Sequence, residues 1–157
     1  MRGADEGTPA VTSIEIGGGT LVQPGWVNLD SRNGVGEWAR MAQDTPWPTG
    51  DNTVDAIRAS HVMEHIPAGQ ERIDVMNEAH RVLKPGGVFE IIVPIVNNPL
   101  TWHAIADPTH VSFWVLESFH YFDGHFAANA DYGIRLWNTL ELEVRGGFEC
   151  HWKGTPR

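Results

Sequence analysis

Two neighbouring stretches decide the fold of this chain: SHVMEHI at residues 60–66 and EAHRVLKPGG at residues 78–87. The run VDAIRA precedes them at 54–59, and the apolar run VFEIIVP follows them at 88–94. Between the two runs, apolar residues from Ile73 to Leu83 recur at the i, i+3 and i+4 spacing of a helix that packs on a sheet. This order predicts a βαβ unit, with two parallel strands, a helix over residues 69–83 and a Pro-Gly-Gly stop.

The segment from Ser60 to His65 follows the first of these strands. Ligands of open parallel sheets bind outside the carboxyl ends of the strands, so the sequence predicts a functional site at this segment. Earlier in the chain, residues 11–16 and 26–30 are predicted to form two more strands. A crossover helix needs about ten residues or more, so the helix between these two strands is predicted to be missing or reduced to a turn.

The later part of the chain gives weaker signals. Residues 36–42 have weak helical character, and residues 44–48 are predicted to form a loop or a short strand. A short helix is predicted over 115–122. Residues 133–137 and 140–145 are predicted to pair as an antiparallel hairpin at the edge of the sheet. The fold class is therefore α/β, a Rossmann-like, mostly parallel sheet in a reduced form.

Size and composition indicate an ordinary globular protein. The 157 residues fit one domain, with residues 1–10 expected to be disordered, and 41% are hydrophobic and 20% charged. No apolar run approaches the roughly 20 residues of a membrane span, and the polar start is unlike a signal peptide. The single cysteine, Cys150, excludes an internal disulfide and a Cys-rich zinc site, so a cytoplasmic location is predicted.

The formal net charge of -9 argues against nucleic acid as a partner, because nucleic-acid binders usually carry a basic patch. A neutral or cationic small ligand fits the charge better. Seven Trp residues are many for this length, and packing in the core or at an interface with a second copy of the chain accounts for them.

A candidate nucleoside site comes from the first two predicted strands. Glu15-Ile16-Gly17-Gly18-Gly19 places an acidic residue before a glycine turn, where the backbone can approach a ligand closely. Asp30 ends the second strand, and its carboxylate can accept hydrogen bonds from both ribose hydroxyls. A dinucleotide would need a helix opened by the glycine turn to hold its pyrophosphate, and this chain has no room for that helix.

These motifs, together with residues 24–30, Asp44, residues 60–66 and residues 81–87, resemble the small class I S-adenosylmethionine (SAM) methyltransferases of sugar and polysaccharide pathways. The resemblance covers roughly residues 13–125 and implies SAM as the cofactor. It implies that Glu15, Gly17, Gly18 and Gly19 line the methionine and ribose, and that Asp30 holds the ribose. It further implies that Asp44 and Thr45 reach the adenine, and that Ser60 and His61 close over the sulfonium.

The pattern His61-x-x-Glu64-His65 has two metal-binding alternatives. Inverted zinc peptidases carry it on a long helix, whereas here a strand precedes it and Pro67 follows. Some methyltransferases carry Glu-x-x-Glu-His at this place, with a later His, and use Mg²⁺ or Mn²⁺. Because His61 replaces the first of those carboxylates, no metal site is predicted. If a metal is bound nevertheless, its ligands are expected to be Glu64, His65 and His110.

The stretch DPTHVSFW at residues 107–114 follows the fifth strand of the resembling enzymes, where they place the roof over the acceptor. Asp107 and His110 flank a Pro-stiffened turn, and a neutral imidazole suits the removal of a hydroxyl proton. His110 is therefore the predicted base, Asp107 its orienting partner and His65 the second candidate. The alternative is an Asx turn packed under the neighbouring aromatic residues.

The sequence thus predicts a SAM-dependent methyltransferase that acts on a hydroxyl of a sugar, glycan or small metabolite. Two alternatives stay open: a SAM-binding or scaffold subunit without activity, and a metal-assisted O-methyltransferase. Neither a membrane nor nucleic acid is expected as a partner, and a homo-oligomer is compatible with the sequence.

Overall fold

A computed structural model describes residues 12–32, 34–97 and 99–157. The predicted disorder of residues 1–10 and the predicted strand residue Val11 lie outside this part of the chain. No helix of the described residues is long and apolar enough to cross a membrane.

One six-stranded sheet forms the centre of the structure, with the strand order β2-β1-β3-β4-β6-β5. The strands are β1 (Ser13–Ile16), β2 (Val27–Leu29), β3 (Val54–Ser60), β4 (Leu83–Pro94), β5 (Trp137–Arg145) and β6 (Glu149–Pro156). β2, β1, β3 and β4 are parallel, and β6 pairs antiparallel with both β4 and β5. The predicted α/β fold with an antiparallel edge is confirmed.

The predicted βαβ unit is also confirmed. Helix α1 (Gln70–Val82) joins β3 to β4, and Leu83 is already extended, so the helix ends before the Pro-Gly-Gly sequence. Val75, Met76 and Ala79 of α1 are fully buried in one core with alternate residues of the strands, such as Ile57 and Ile91. The 3.6-residue period of the helix and the two-residue period of the strands meet in this core.

The opposite face of the sheet carries a row of charged side chains. A ladder of ion pairs crosses the sheet in the order Glu15, Arg58, Glu90, Lys153, Glu141 and Arg145. The N–O distances between successive members are 4.0, 3.5, 3.4, 3.1 and 2.8 Å. Arg58, Glu90 and Lys153 are about one-third exposed. Sheets of this class usually bury both faces under helices. The ladder therefore suits a sheet whose first crossover helix is absent.

The connection between β1 and β2 confirms the expected loss of that helix, since residues 17–26 form turns only. The predicted helical character of residues 36–42 is wrong. Trp38 instead forms an isolated parallel bridge with Leu29, and residues 40–44 make tight turns. Backbone bonding to the end of β2 outweighs the weak local helix propensity of this segment.

The predicted edge hairpin has the wrong limits. Asn138 and Thr139 continue β5 rather than forming a turn. The turn that joins β5 to β6 contains Gly146 and Gly147, which both have positive φ. Two such residues suit a tight turn between antiparallel strands. Between β4 and β5 lie α2 (Trp102–Ile105), α3 (Glu117–His120) and a 3-10 turn over Ala127–Asn129. The helix predicted over 115–122 thus exists as a single turn.

Candidate functional site

The glycine turn after β1 has the backbone that the sequence predicts. Gly17 and Gly19 have φ of +63° and +58°, a region that other residues rarely adopt. A Cβ on Gly17 would lie 2.5 Å from a methyl of Val62, and a Cβ on Gly18 would lie 2.6 Å from Cγ of Glu15. The turn therefore packs directly on its neighbours, and only glycine fits there.

Asp30 lies at the end of β2, and its carboxylate accepts four hydrogen bonds. Oδ1 accepts from the Arg32 backbone N–H (2.9 Å) and from Nε (3.2 Å), and Oδ2 accepts from the Gly19 N–H (3.0 Å) and from Arg32 Nη2 (2.9 Å). These bonds fill the roughly four acceptor sites of a carboxylate. They also lower the pKa of Asp30, with the Arg32 side chain as the main cause.

The Arg32 guanidinium takes one acceptor site on each Asp30 oxygen. Arg32 is 63% exposed, so it can leave at low cost. A free carboxylate would then offer one site on each oxygen, which is the pattern that two neighbouring ribose hydroxyls require. The residues at this strand end therefore fit a nucleoside once the guanidinium moves away.

Asn28 fixes the glycine turn, and sequence reasoning missed it. Its side chain accepts from the Gly18 N–H (3.1 Å) and donates to the carbonyls of Gly19 (2.9 Å) and Val35 (3.2 Å). Asn28 is 1% exposed, so these bonds are shielded from water. The sequence signal for this role of Asn28 is a polar residue at an inward strand position, two residues before Asp30.

A cleft of about 110 Å³ opens between the ends of β1 and β2 and the segment after β3. Gly17 and Asp30 line one side, Val62, His65 and Ile66 another, and residues 40–43 a third. Pockets for drug-sized ligands begin at about 300 Å³, so a nucleoside requires the cleft to widen. Its apolar walls suit a base, and Asp30 suits a ribose.

Seven of the nine predicted cofactor residues do not line this cleft, Gly18 and Gly19 among them. Asp44 caps the turn by accepting from the Met41 N–H (3.0 Å), and Thr45 lines a separate surface depression with Glu78 and Arg81. Tight turns at residues 41–45 direct the backbone of 40–43, rather than Asp44 and Thr45, towards the cleft.

Ser60 and His61 also lie outside the cleft, because Val62 and His65 occupy the place predicted for them. His61 has φ of +54°, which turns its side chain away from the cleft. Its Nε2 lies 2.9 Å from Glu149 and its Nδ1 lies 3.5 Å from Glu64. The Glu64 hydrogen bond is the main cause that raises the pKa of His61. Glu15 also points elsewhere: it is 3% exposed and begins the ion-pair ladder.

Glu64, His65 and His110 come together beside the cleft, with one ligand atom of each within 4.8 Å of the others. His110 Nδ1 lies 2.7 Å from the Ala104 carbonyl, and His65 Nδ1 lies 3.1 Å from the Thr109 carbonyl. A carbonyl only accepts, so each Nδ1 carries the proton and each Nε2 keeps its lone pair. Glu64 is 2% exposed, and its Oε2 has no hydrogen-bond partner among the described residues.

Asp107 does not hold the His110 ring as predicted. Its Oδ1 accepts from the Thr109 N–H (2.8 Å) and hydroxyl (2.6 Å), which forms an Asx turn and lowers the pKa of Asp107. Its Oδ2 stays 3.8 Å from His110 Nε2, and Glu64 Oε1 lies at 3.9 Å. The Ala104 carbonyl therefore orients the imidazole, and two carboxylates lie beside the nitrogen that would gain a proton.

Comparisons with known proteins agree with this geometry. Residues 27–91, less than half of the chain, match the family model described as a methyltransferase domain. No curated protein matches the sequence.

Solved structures resemble most of the chain at low sequence identity. A SAM-dependent methyltransferase from Thermotoga maritima has a TM-score of 0.64 at 14% identity, with 96% of this chain and 84% of that chain covered. The YcgJ protein from Bacillus subtilis has a TM-score of 0.61 at 14% identity, with 94% of this chain and 93% of that chain covered. A SAM-dependent methyltransferase from Aquifex aeolicus has a TM-score of 0.60 at 15% identity, with 92% of this chain and 81% of that chain covered.

These structures are too distant to show more than the fold, and the family match covers the strand that ends in Asp30 and the βαβ unit. The chain therefore contains a segment, residues 27–91, that matches a methyltransferase domain, and it has the fold of SAM-dependent methyltransferases.

Proposed function

We propose that this chain is a SAM-dependent methyltransferase that acts on a hydroxyl of a sugar or another small metabolite, with His110 as the general base. The observation that carries the proposal is the His110 imidazole. It is held by a backbone carbonyl, it presents a lone pair on Nε2, and it lies next to two carboxylates.

Asp30 would bind the ribose of the cofactor after release of Arg32, and Gly17 would let the cofactor approach the backbone. SAM supplies an electrophilic methyl group when it is bound. Asn28 keeps the glycine turn in place from beneath. Residues 40–43 and Ile66 would exclude water from the adenine base of the cofactor. Gly17, Asp30, Ile66 and residues 40–43 all line one cleft, which supports these roles.

His110 Nε2 would take the proton of the acceptor hydroxyl while the acceptor is methylated. Glu64 and Asp107 would then stabilise the imidazolium, since each has an oxygen within 3.9 Å of Nε2. His65 lies 4.9 Å from His110 between ring centroids and keeps its own Nε2 free, so it is the second candidate base.

The test is transfer of a radiolabelled methyl group from SAM to a panel of sugars, glycosides and small alcohols. His110→Ala should lower the rate by roughly 10²-fold or more, with SAM affinity unchanged, because general-base catalysis contributes about that much. His125→Ala is the control, since His125 is exposed and outside the cleft. A near wild-type rate for His110→Ala would rule out its role as base. No transfer to any acceptor would favour the non-catalytic subunit.

Metal-assisted transfer to oxygen is a second candidate, and the cluster of Glu64, His65 and His110 favours it. Both imidazoles donate Nδ1–H to carbonyls, which is the usual arrangement when Nε2 binds a metal. The unpartnered Glu64 Oε2 is a further donor. Two nitrogen ligands favour a transition-metal ion over Mg²⁺.

The two candidates differ in their response to metal. If His110 acts as base without a metal, activity survives exhaustive chelation and calorimetry shows no saturable Mn²⁺ binding. If the cluster binds a metal, chelation abolishes turnover, Mn²⁺ restores it, and Glu64→Gln abolishes Mn²⁺ binding measured on the protein alone.

A further inference from the structure

A second cavity, of about 400 Å³, lies between α1 and the segment that carries α3. It shares no lining residue with the cleft at Asp30. Its walls are mostly apolar and aromatic: Ile73, Val115, Tyr121, Phe126, Tyr132 and Ile134. The volume lies in the range of roughly 300–1,000 Å³ that small-molecule sites occupy.

Arg72 brings a positive charge into this apolar cavity. Its guanidinium lies over the Trp114 ring at 4.0 Å, and its Nη2 donates to the Phe113 carbonyl at 3.4 Å. Its Nε is buried without a hydrogen-bond partner, and Arg72 forms no ion pair within 4.0 Å with a carboxylate of the described residues. Burial lowers the pKa of Arg72 to about 10.

Such a cation lacks what a partly buried charge normally has. A guanidinium has five N–H donors in a planar fork, and within the described part of the chain only one of them has a partner, in a long hydrogen bond. Removing a charge from water without a counter-ion costs several kcal/mol or more. A bound carboxylate would match the fork with two parallel hydrogen bonds and would neutralise the charge.

We propose that this cavity binds a small monocarboxylate with an apolar or aromatic body. The body would lie among Tyr121, Phe126 and Tyr132, and the carboxylate would bind Arg72. Ser118 also lines the cavity, and since its Oγ accepts from the Val115 N–H, its own proton is free to donate. Glu117, which is exposed at the rim, disfavours a ligand with a second negative charge.

Calorimetry with 3-phenylpropionate and its neutral isostere 3-phenylpropanamide tests the proposal. The carboxylate should bind the wild-type protein at least tenfold more tightly than the amide. Arg72→Met should lower the carboxylate affinity tenfold or more and leave the amide affinity unchanged. Glu117→Gln is the matched control, and it should keep or strengthen carboxylate binding. SAM affinity should stay the same in both variants.

Equal affinities of wild-type protein for the two probes would overturn the proposal, and this comparison does not depend on any variant folding. Wild-type carboxylate affinity in folded Arg72→Met would also overturn it. Thermal melting adds a readout: loss of an unpaired cation should leave Arg72→Met at least as stable as wild type. A lower melting temperature, with no carboxylate binding by wild type, would assign Arg72 to packing on Trp114 instead.

Discussion

Glu78 ties α1 to the loop that leads out of the nucleoside cleft, and its replacement should destabilise the fold strongly. Its Oε1 accepts from the Trp47 N–H (2.6 Å) and Arg81 Nη2 (2.6 Å), and its Oε2 accepts from Arg81 Nε (2.9 Å). Glu78 is 7% exposed and Trp47 is 2% exposed. Trp47 in turn donates from its ring N–H to the Ala42 carbonyl, in the cleft wall (2.8 Å).

The cost of Glu78→Ala can be estimated from these contacts. A buried donor left without a partner costs about 1–3 kcal/mol, and this applies to the Trp47 N–H. Breaking a buried ion pair costs about 3–5 kcal/mol, but Arg81 is 21% exposed and keeps Asp51 as a partner. We therefore expect a loss of about 3 kcal/mol in the free energy of unfolding, which corresponds to roughly 6–12 °C for a domain of this size.

Urea unfolding followed by circular dichroism measures this loss. Asp55→Ala is the matched control, because it removes an exposed partner of Lys84 at 2.7 Å and should cost no more than about 1 kcal/mol. Glu78→Gln should fall between the two, since an amide oxygen can still accept from the Trp47 N–H. If Glu78→Ala loses no more stability than Asp55→Ala, the loop is not anchored as the structure indicates.

Three further predictions concern single residues. Arg32→Ala should strengthen SAM binding up to about fivefold, because it removes an exposed competitor for Asp30; unchanged or weaker binding by calorimetry would contradict this. Burial, with a contribution from Arg135, lowers the pKa of His80 below 6.5. As the pH drops below about 6.5, the unfolded chain therefore takes up the proton before the folded chain does, and the free energy of unfolding falls. His80→Gln should flatten that dependence in urea melts at pH 5 to 8, and His125→Gln should not. Cys150, whose pKa burial raises to about 12, should resist a thiol reagent at pH 8 until urea unfolds the chain; rapid labelling of the folded protein would contradict its burial.

The parts of the fold that follow a strong period could be predicted from the sequence. The spacing of Ile73, Met76 and Ala79 fixed α1, and the run from Val88 to Pro94 matches the end of β4. The hairpin could not be placed because local signals compete there: Asn138 and Thr139 resemble a turn, whereas the glycines at 146 and 147 form the real one.

The candidate site could be predicted only where a strand end fixes a side chain. Asp30 and Gly17 line the cleft for that reason. Asp44, Ser60 and His61 were one or more residues away from the cleft, because turn geometry decides which way each side chain points. The bond between His110 and the Ala104 carbonyl depends on a six-residue loop closure, which leaves no pattern in the sequence.

The most direct test of the account is a calorimetric titration of S-adenosylmethionine into the wild-type protein and into Asp30→Ala, with Asp44→Ala as the control outside the cleft. We predict saturable binding by wild type, and a loss of about 1.5–3 kcal/mol in binding free energy for Asp30→Ala, because charge-assisted hydrogen bonds to the ribose disappear. Asp44→Ala should keep most of the affinity. No binding by the wild-type protein, or unchanged binding by folded Asp30→Ala, would contradict the account.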